Sequence, residues 1–348
     1  MLISNFEYLV IFVLSFILVG ALTPVMRKVA VKKNIFDMPN SAHKTHVFPT
    51  PYLGGVAIMI GVTIVLLMSV LLSSEVKHNL KLLLSVLIPA LLLGLIGLWD
   101  DLKGLPPLPR LFAQSAIGIG VSIILVSTGT SGNPLGLRVF DVLLTVIWIV
   151  GICNAINFFD NMDGGAAGAV AFSSIGIAFV AWYSDQSFLA GFALVTAGAT
   201  FGFLIWNKNP AKIYMGDAGA LFLGVLIATL AIRLDPDIQD RAISLSIPLF
   251  LLAIPILDTT TVVISRLLNG LSIFQGGKDH LSHTLVKLGL TRKSAVLVLW
   301  VSCILFVAIA ILVLVLPLML KIIFLLLGAL TWFILLLWFI KFSVGKTR

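Results

Sequence analysis

Six aspartates in this chain lie where long apolar runs end or are interrupted. The segment NAINFFDNMDGG (154–165) places three amides and two carboxylates between two such runs. The six are Asp100, Asp101, Asp160, Asp163, Asp217 and Asp258. An aspartate at the centre of a membrane helix costs about 2.5–3.5 kcal/mol on insertion scales, so acids in this setting are candidates for function.

Carboxylates in this number, beside lysines and Gly-rich turns, suit a metal ion and phosphates. Mg²⁺ in proteins uses one or two carboxylates together with phosphate oxygens and water. The remaining acids would then accept hydrogen bonds from hydroxyls and ring N–H groups, or handle a proton. A nucleotide sugar offers a diphosphate, a ribose and a base, and it therefore fits the whole set.

Each acid also has a structural interpretation. Asp100 and Asp101 could form a solvated helix end, Asp160 and Asp163 could be turn residues, and Asp217 could cap a helix. Such roles explain the acids one by one, but they do not explain why the acids occur together.

Two histidines follow the last acid, and they do not form a zinc motif. His280 and His283 are three residues apart and would share one face of a helix. The sequence shows no third zinc ligand at a suitable spacing. We expect Asp37 and Asp279, in the neighbouring polar segments, to be solvated.

The elements that position these residues are apolar helices. The chain has 348 residues, of which 59% are hydrophobic and 11% charged, against about 25% charged in soluble domains. The sequence predicts a single all-α integral membrane domain (1–348) with about eleven spans. The windows are Phe6–Met26, Leu53–Leu72, Leu80–Leu98, Leu111–Val126, Val139–Ile156, Ala166–Trp182, Phe188–Ile205, Ala218–Ile232, Ile243–Ile264, Ala295–Leu316 and Leu318–Phe339.

Basic residues predict how the spans are oriented. Seventeen of the 23 lysines and arginines fall in alternate loops and at the C-terminus, on the side that also carries the six acids. By the positive-inside rule this side is cytoplasmic, with the N-terminus outside and the C-terminus inside. The same bias explains the net charge of +8 without nucleic acid as a partner. Cys153 and Cys303 fall at or inside spans and predict buried packing.

The ninth span predicts a bend. From Ile243 to Leu268 a continuous helix would run about 39 Å, beyond the roughly 30 Å hydrocarbon core. Pro255 should kink it and open a groove toward Asp258.

The polar segments together resemble a known family. NAINFFDNMDGG, KIYMGDAGALFLG, LWDDLKG, PTPYLGG, IPILDTTTVVISR and DHLSHTLVKLGL resemble the motifs of the polyprenyl-phosphate N-acetylhexosamine-1-phosphate transferases (glycosyltransferase family 4). The resemblance extends in order from about His43 to Leu290. Eleven spans look most like the undecaprenyl-phosphate N-acetylglucosaminyl-1-phosphate transferase branch.

The resemblance implies a reaction. A sugar 1-phosphate, GlcNAc-1-phosphate in this branch, would pass from a UDP-sugar to a polyprenyl phosphate in the plasma membrane, with release of UMP on the cytoplasmic side. Mg²⁺, or Mn²⁺ in its place, would be required, and a homodimer is also implied. In these terms the expected catalytic residues are Asp100, Asp101, Asp258 and His280, the metal ligand is Asp217, and the substrate-binding residues are Lys44, Asn157, Asp160, Asp163, Asn207, Lys278 and His283.

Several points remain open at this stage. Asn161, Gly165 and Lys208 depart from the usual family motifs, and the histidine cluster is reduced, so another UDP-sugar such as UDP-MurNAc-pentapeptide is an alternative. Direct attack and a covalent two-step transfer are both compatible with the acids. A remote alternative is an ion-coupled transporter, although such proteins place acids near the bilayer midplane.

Overall fold

The computed structural model describes residues 5–37, 49–73, 76–130, 136–273 and 277–343. These residues form thirteen helices and one two-stranded sheet. The elements are α1 (Asn5–Lys32), β1 (Phe36–Asp37), β2 (Thr50–Pro51), α2 (Gly54–Leu71), α3 (Val76–Lys103), α4 (Pro107–Ser127), α5 (Arg138–Phe159), α6 (Gly165–Tyr183), α7 (Ser187–Asn207), α8 (Gly216–Ile232), α9 (Arg241–Leu251), α10 (Ala253–Leu268), α11 (Leu281–Lys287), α12 (Arg292–Val315) and α13 (Leu318–Ser343).

Nine of the described helices are long and apolar enough to cross a membrane, and the pair α9–α10 makes a tenth candidate. The apolar helix α8 has 17 residues and corresponds to the eighth predicted window. Each of the eleven windows thus matches one helix or the α9–α10 pair. The predicted fold class, an all-α integral membrane protein, is confirmed. The short helix α11 was not predicted as an element of its own.

Helix α8 is the most enclosed element of the bundle. Fourteen consecutive residues, from Ala218 to Ala231, are buried, while the outer helices α1 and α13 are largely exposed. Helices α6 and α7 are also mostly buried, and both are rich in Gly, Ala and Ser. Small residues let helix backbones approach closely, and van der Waals packing is the main force between helices in lipid. Both free cysteines are buried, as expected.

The predicted bend in the ninth span is a complete break. Helices α9 and α10 meet at Leu252 with an angle of 81° between them. Pro255 lies in the first turn of α10, three residues after the break. It has no N–H to donate to the Leu251 carbonyl, so α9 cannot continue through it as a regular helix. Ser173 Oγ donates to that carbonyl at 2.6 Å, and Trp332 Nε1 donates to the Ala253 carbonyl at 3.0 Å. Ser173 therefore satisfies the carbonyl that Pro255 leaves without a helical donor.

The segment before α2 joins the segment before α8. Strands β1 and β2 pair antiparallel, and Tyr52 forms a parallel bridge with Tyr214. The amide of Gly54 donates to the Tyr214 carbonyl at 3.0 Å, and the amide of Gly55 donates to the Met215 carbonyl at 2.9 Å. These bonds fix the chain that enters α8 against the start of α2.

The contact between α2 and α8 generates a stability prediction. A Cβ on Gly55 would lie 2.1 Å from the Gly219 amide nitrogen, within two rigid helices. Gly55→Ala should therefore destabilise the fold by about 1–3 kcal/mol or more, seen as a lower thermal midpoint in detergent. Gly151→Ala is the matched control, because a Cβ there meets nothing within 4 Å. An unchanged midpoint in Gly55→Ala would contradict the close contact.

Candidate active site

One end of the helix bundle contains a polar cavity of about 700 Å³. It is formed where α3 and α5 end, where α8 begins, and where the segments before α2, after α5 and before α11 approach each other. Its lining residues are Asp37, Tyr52, Asp100, Asp101, Leu102, Gly104, Asn157, Phe158, Asp160, Asn161, Met162, Asp163, Asn207, Tyr214, Gly216, Asp217, Gly277, His280, His283 and Arg292. Five of the six aspartates singled out in the sequence therefore surround one space.

Asp100 and Asp217 share a cation. Arg110 Nη1 donates to Asp100 Oδ2 and to Asp217 Oδ2, each at 2.6 Å. Asp217 Oδ1 accepts from Asn157 Nδ2 at 2.7 Å, and Asp100 Oδ1 accepts from the Leu105 amide at 2.5 Å. A positive group thus lies between two carboxylates that come from helices distant in sequence, α3 and α8.

Asp101 faces the first turn of α8. Its Oδ1 accepts from the Asp217 amide at 2.8 Å, and its Oδ2 accepts from the Ala218 amide at 3.0 Å. Gly216 has φ of +71°, and a Cβ there would lie 2.4 Å from Asp101 Oδ2. Asp101 therefore caps α8 from a neighbouring helix, because it accepts hydrogen bonds from two N–H groups that have no partner within α8. The adjacent acids Asp100 and Asp101 have different partners.

The segment after α5 forms a turn. Asp160 is the C-cap residue of α5. Asp163 Oδ2 accepts from Asn209 Nδ2 at 2.8 Å and from the Ala211 amide at 3.0 Å, which ties this turn to the loop before α8. Asp160 and Asp163 both line the cavity, so the turn brings the two carboxylates to one space.

Asn207 lines the cavity, but both polar atoms of its side-chain amide are hydrogen-bonded to backbone groups. Its Oδ1 accepts from the Gly164 amide at 3.0 Å, and its Nδ2 donates to the Ile213 carbonyl at 3.0 Å. The buried Asn207 side chain thus holds the two acidic segments in register.

The last of the six acids, Asp258, lies against the segment that carries the two histidines. Asp258 is fully buried in α10, contacts His280 and does not line the cavity, whereas His280 and His283 do. Burial and the neighbouring His280 lower the pKa of His283 to about 4, which keeps its ring neutral near pH 7. Lys278 is exposed and does not line the cavity. Lys44 lies outside the described residues.

Some residues of this site were not singled out in the sequence. Arg110 lies ten positions after Asp100 in LWDDLKGLPPLPR, where it counts only as one of the basic residues that predict the orientation of the spans. Tyr52 and Tyr214 belong to quoted motifs, and both line the cavity. Burial raises the pKa of the Tyr214 hydroxyl to about 12, so it stays protonated at neutral pH.

Two acids that we expected to be solvated have specific positions. Asp37 lines the cavity. Asp279 forms a two-point ion pair with Arg266, with N–O distances of 2.8 and 3.0 Å. The expectation was wrong for Asp279, because a short polar segment does not show which distant side chain it will face.

The described residues contain no group of three or more His, Cys, Asp or Glu side chains placed to hold a metal ion. A cage built from protein side chains alone is not what Mg²⁺ requires, since it takes one or two carboxylates and completes its shell with phosphate and water. Asp217 and Asp100 approach one common position, now held by the guanidinium of Arg110, and they provide oxygen ligands of this kind. The residues present therefore fit Mg²⁺.

Asp160 generates a pH prediction. Burial and, to a smaller extent, the charges of Asp217 and Asp163 raise the pKa of Asp160 to about 7. An acid with a raised pKa binds more protons in the folded state, so its ionisation reduces stability as pH rises from about 4 to 7. Asp160→Asn removes this cost. The variant's thermal midpoint should therefore exceed that of the wild type by more at pH 8 than at pH 5. Asp237→Asn, at an exposed site, is the control; an equal gain at both pH values would contradict the shift.

Comparison with known proteins agrees with this geometry. The family model "Glycosyl transferase family 4" matches residues 83–235. A probable undecaprenyl-phosphate N-acetylglucosaminyl 1-phosphate transferase of Bacillus subtilis (strain 168) is 35% identical over 302 residues, covering 84% of this chain and 80% of the relative. A decaprenyl-phosphate N-acetylglucosaminephosphotransferase of Mycolicibacterium smegmatis is 32% identical over 298 residues, with 75% and 71% covered. A phospho-N-acetylmuramoyl-pentapeptide-transferase of Staphylococcus carnosus is 31% identical over 256 residues, with 66% and 76% covered. This multi-pass membrane protein is a transferase and belongs to glycosyl transferase family 4.

Proposed function

We propose that this protein transfers a sugar 1-phosphate, GlcNAc-1-phosphate, from a UDP-sugar to a membrane polyprenyl phosphate and releases UMP. The observation that carries the proposal is a cavity lined by Asp100, Asp217 and the Asn157–Asp163 segment, with Arg110 bound to both Asp100 and Asp217. The names of the relatives support the class of lipid acceptor and the amino sugar.

The two sides of the cavity suit the two ends of a nucleotide sugar. The carboxylates of Asp160 and Asp163 accept hydrogen bonds and would repel a bare diphosphate, so they suit ribose hydroxyls and a uracil ring N–H. The diphosphate would then lie toward Asp217 and Arg110. Asn157 donates to Asp217 from the same segment and connects the two regions.

Asp217 would hold the Mg²⁺, with Asp100 as the second carboxylate within reach of the same position. The bound ion supplies positive charge that neutralises the diphosphate during transfer. Arg110 would leave this position to the ion and lie beside it, where its guanidinium can bind phosphate oxygens in a two-point contact.

The phosphate of the lipid acceptor does not need a strong general base to remove a proton. A phosphate monoester has a second pKa near 6 and is largely a dianion at pH 7. Phosphoryl transfer then depends on positioning and charge neutralisation. In this proposal Asp100 orients the reacting groups through Arg110, and Asp101 holds the start of α8, and with it Asp217, in place.

We place the cavity on the cytoplasmic side of the plasma membrane. The segments that form it carry most of the basic residues, and UDP-sugars are cytoplasmic metabolites. Five of the six acids line one cavity at an end of the bundle, which favours the transferase over the transporter alternative.

The proposal is tested by supplying purified full-length protein with undecaprenyl phosphate, Mg²⁺ and a panel of UDP-sugars. UDP-GlcNAc should yield UMP and a lipid-linked GlcNAc 1-phosphate product, identified by chromatography and mass spectrometry. Leaving out either the lipid or Mg²⁺ should abolish UMP release. Product from UDP-MurNAc-pentapeptide in place of UDP-GlcNAc would correct the sugar; no UMP from any donor would refute the reaction.

Asp217→Asn tests the metal assignment. The substitution retains the shape of the side chain and removes its charge, so turnover should fall by roughly 100-fold or more, corresponding to several kcal/mol of lost charge stabilisation. The Mg²⁺ concentration for half-maximal rate should rise as well. Asp237→Asn, at the opposite end of α8, should behave as the wild type. Near-normal turnover with an unchanged Mg²⁺ requirement would rule out Asp217 as the ligand.

A further inference from the structure

Asp258 has no surface that a substrate could contact. Its side chain is 0% exposed in α10. Oδ2 lies 2.8 Å from His280 Nδ1, and Oδ1 accepts from the Leu281 amide at 2.8 Å. Both carboxylate oxygens are therefore engaged by the segment that carries His280.

The contact determines which ring nitrogen of His280 is available. An ionised carboxylate only accepts hydrogen bonds, so the proton of this contact belongs to Nδ1. Nε2 is then the nitrogen left for the cavity, which His280 lines. Edge contacts with Phe158 and His283, with ring centroids 6.3 and 6.0 Å away, restrict rotation of the imidazole.

We propose that Asp258 is a positioning residue that acts through His280, which it orients so that Nε2 donates to a phosphate oxygen of the bound nucleotide sugar. The inference rests on the proposed function, because it takes the cavity to bind a diphosphate. Phosphate oxygens accept hydrogen bonds, so the ring donates from Nε2 when it carries its second proton. The carboxylate of Asp258 then supplies the opposite charge behind the ring.

A simpler role for Asp258 would be to fasten the segment before α11 to α10. That task already has a dedicated contact, since Arg266 of α10 binds Asp279 through two hydrogen bonds and also donates to the Ile273 carbonyl at 3.0 Å. Asp279→Asn weakens the ion pair with Arg266 and leaves the contact between Asp258 and His280 Nδ1 unchanged. It is therefore the matched control for Asp258→Asn, which keeps the shape of Asp258 but donates to Nδ1 and forces the proton onto Nε2.

Turnover of a double-mutant cycle separates the two roles. His280→Ala should lower the rate of UMP release by about 10- to 100-fold, the contribution of one charge-linked hydrogen bond. Asp258→Asn removes the charge behind the ring and leaves a neutral imidazole, whose hydrogen bond to phosphate is no longer charge-linked, so it should cause much of the same loss. The double variant should be no slower than His280→Ala alone. Asp279→Asn should cost less than tenfold. Independent losses that multiply in the double variant would overturn the proposal.

A second measurement does not depend on turnover. In protein labelled with ¹⁵N in the histidine rings, the signal absent from His280→Ala identifies His280 among the five histidines. The wild type should show a proton on Nδ1, and Asp258→Asn should move it to Nε2. An unchanged pattern would refute the positioning role. If the wild type releases no UMP from any donor, the proposed function fails, while this measurement still decides how Asp258 holds the ring.

Discussion

The site depends on one hydrogen-bonded contact at the start of α8, where the carboxylate of Asp101 accepts the amides of Asp217 and Ala218. A helix N-terminus carries partial positive charge and unsatisfied N–H groups, and burying it requires a partner. Asp101 supplies the partner from the end of α3. The position of Asp217, and with it the arrangement of Arg110 and Asp100, follows from this cap.

Close backbone contacts hold the capped end in place. A Cβ on Gly97 would lie 2.3 Å from the Asp217 carbonyl, and one on Gly55 would meet the backbone of Gly219. Helices α2, α3 and α8 therefore approach to a distance that permits only glycine at these points. A polar site at the end of an apolar bundle gains rigidity in this way, because small residues allow the helices to pack tightly in lipid.

The other wall of the cavity is created by the break between α9 and α10. The angle of 81° turns α10 away from the direction of α9 and places Asp258 beneath the segment that carries His280. At the break, Ser173 of α6 donates to the Leu251 carbonyl, which Pro255 cannot reach with an N–H, and Trp332 of α13 donates to the Ala253 carbonyl. Packing of distant helices thus shapes the site.

The sequence by itself determined the all-α membrane fold, the eleven apolar windows, the set of acids and the family, because hydrophobic length and short motifs are local properties. Tertiary structure decided which partner each acid has. Asp100 pairs with Arg110, which also binds Asp217, whereas Asp101 accepts backbone amides of α8. Asp279 pairs with Arg266. The expected kink at Pro255 is a break at Leu252. These outcomes depend on groups far apart in the chain. No local pattern shows whether a carboxylate at a helix end will face solvent, an arginine, or the amides of another helix.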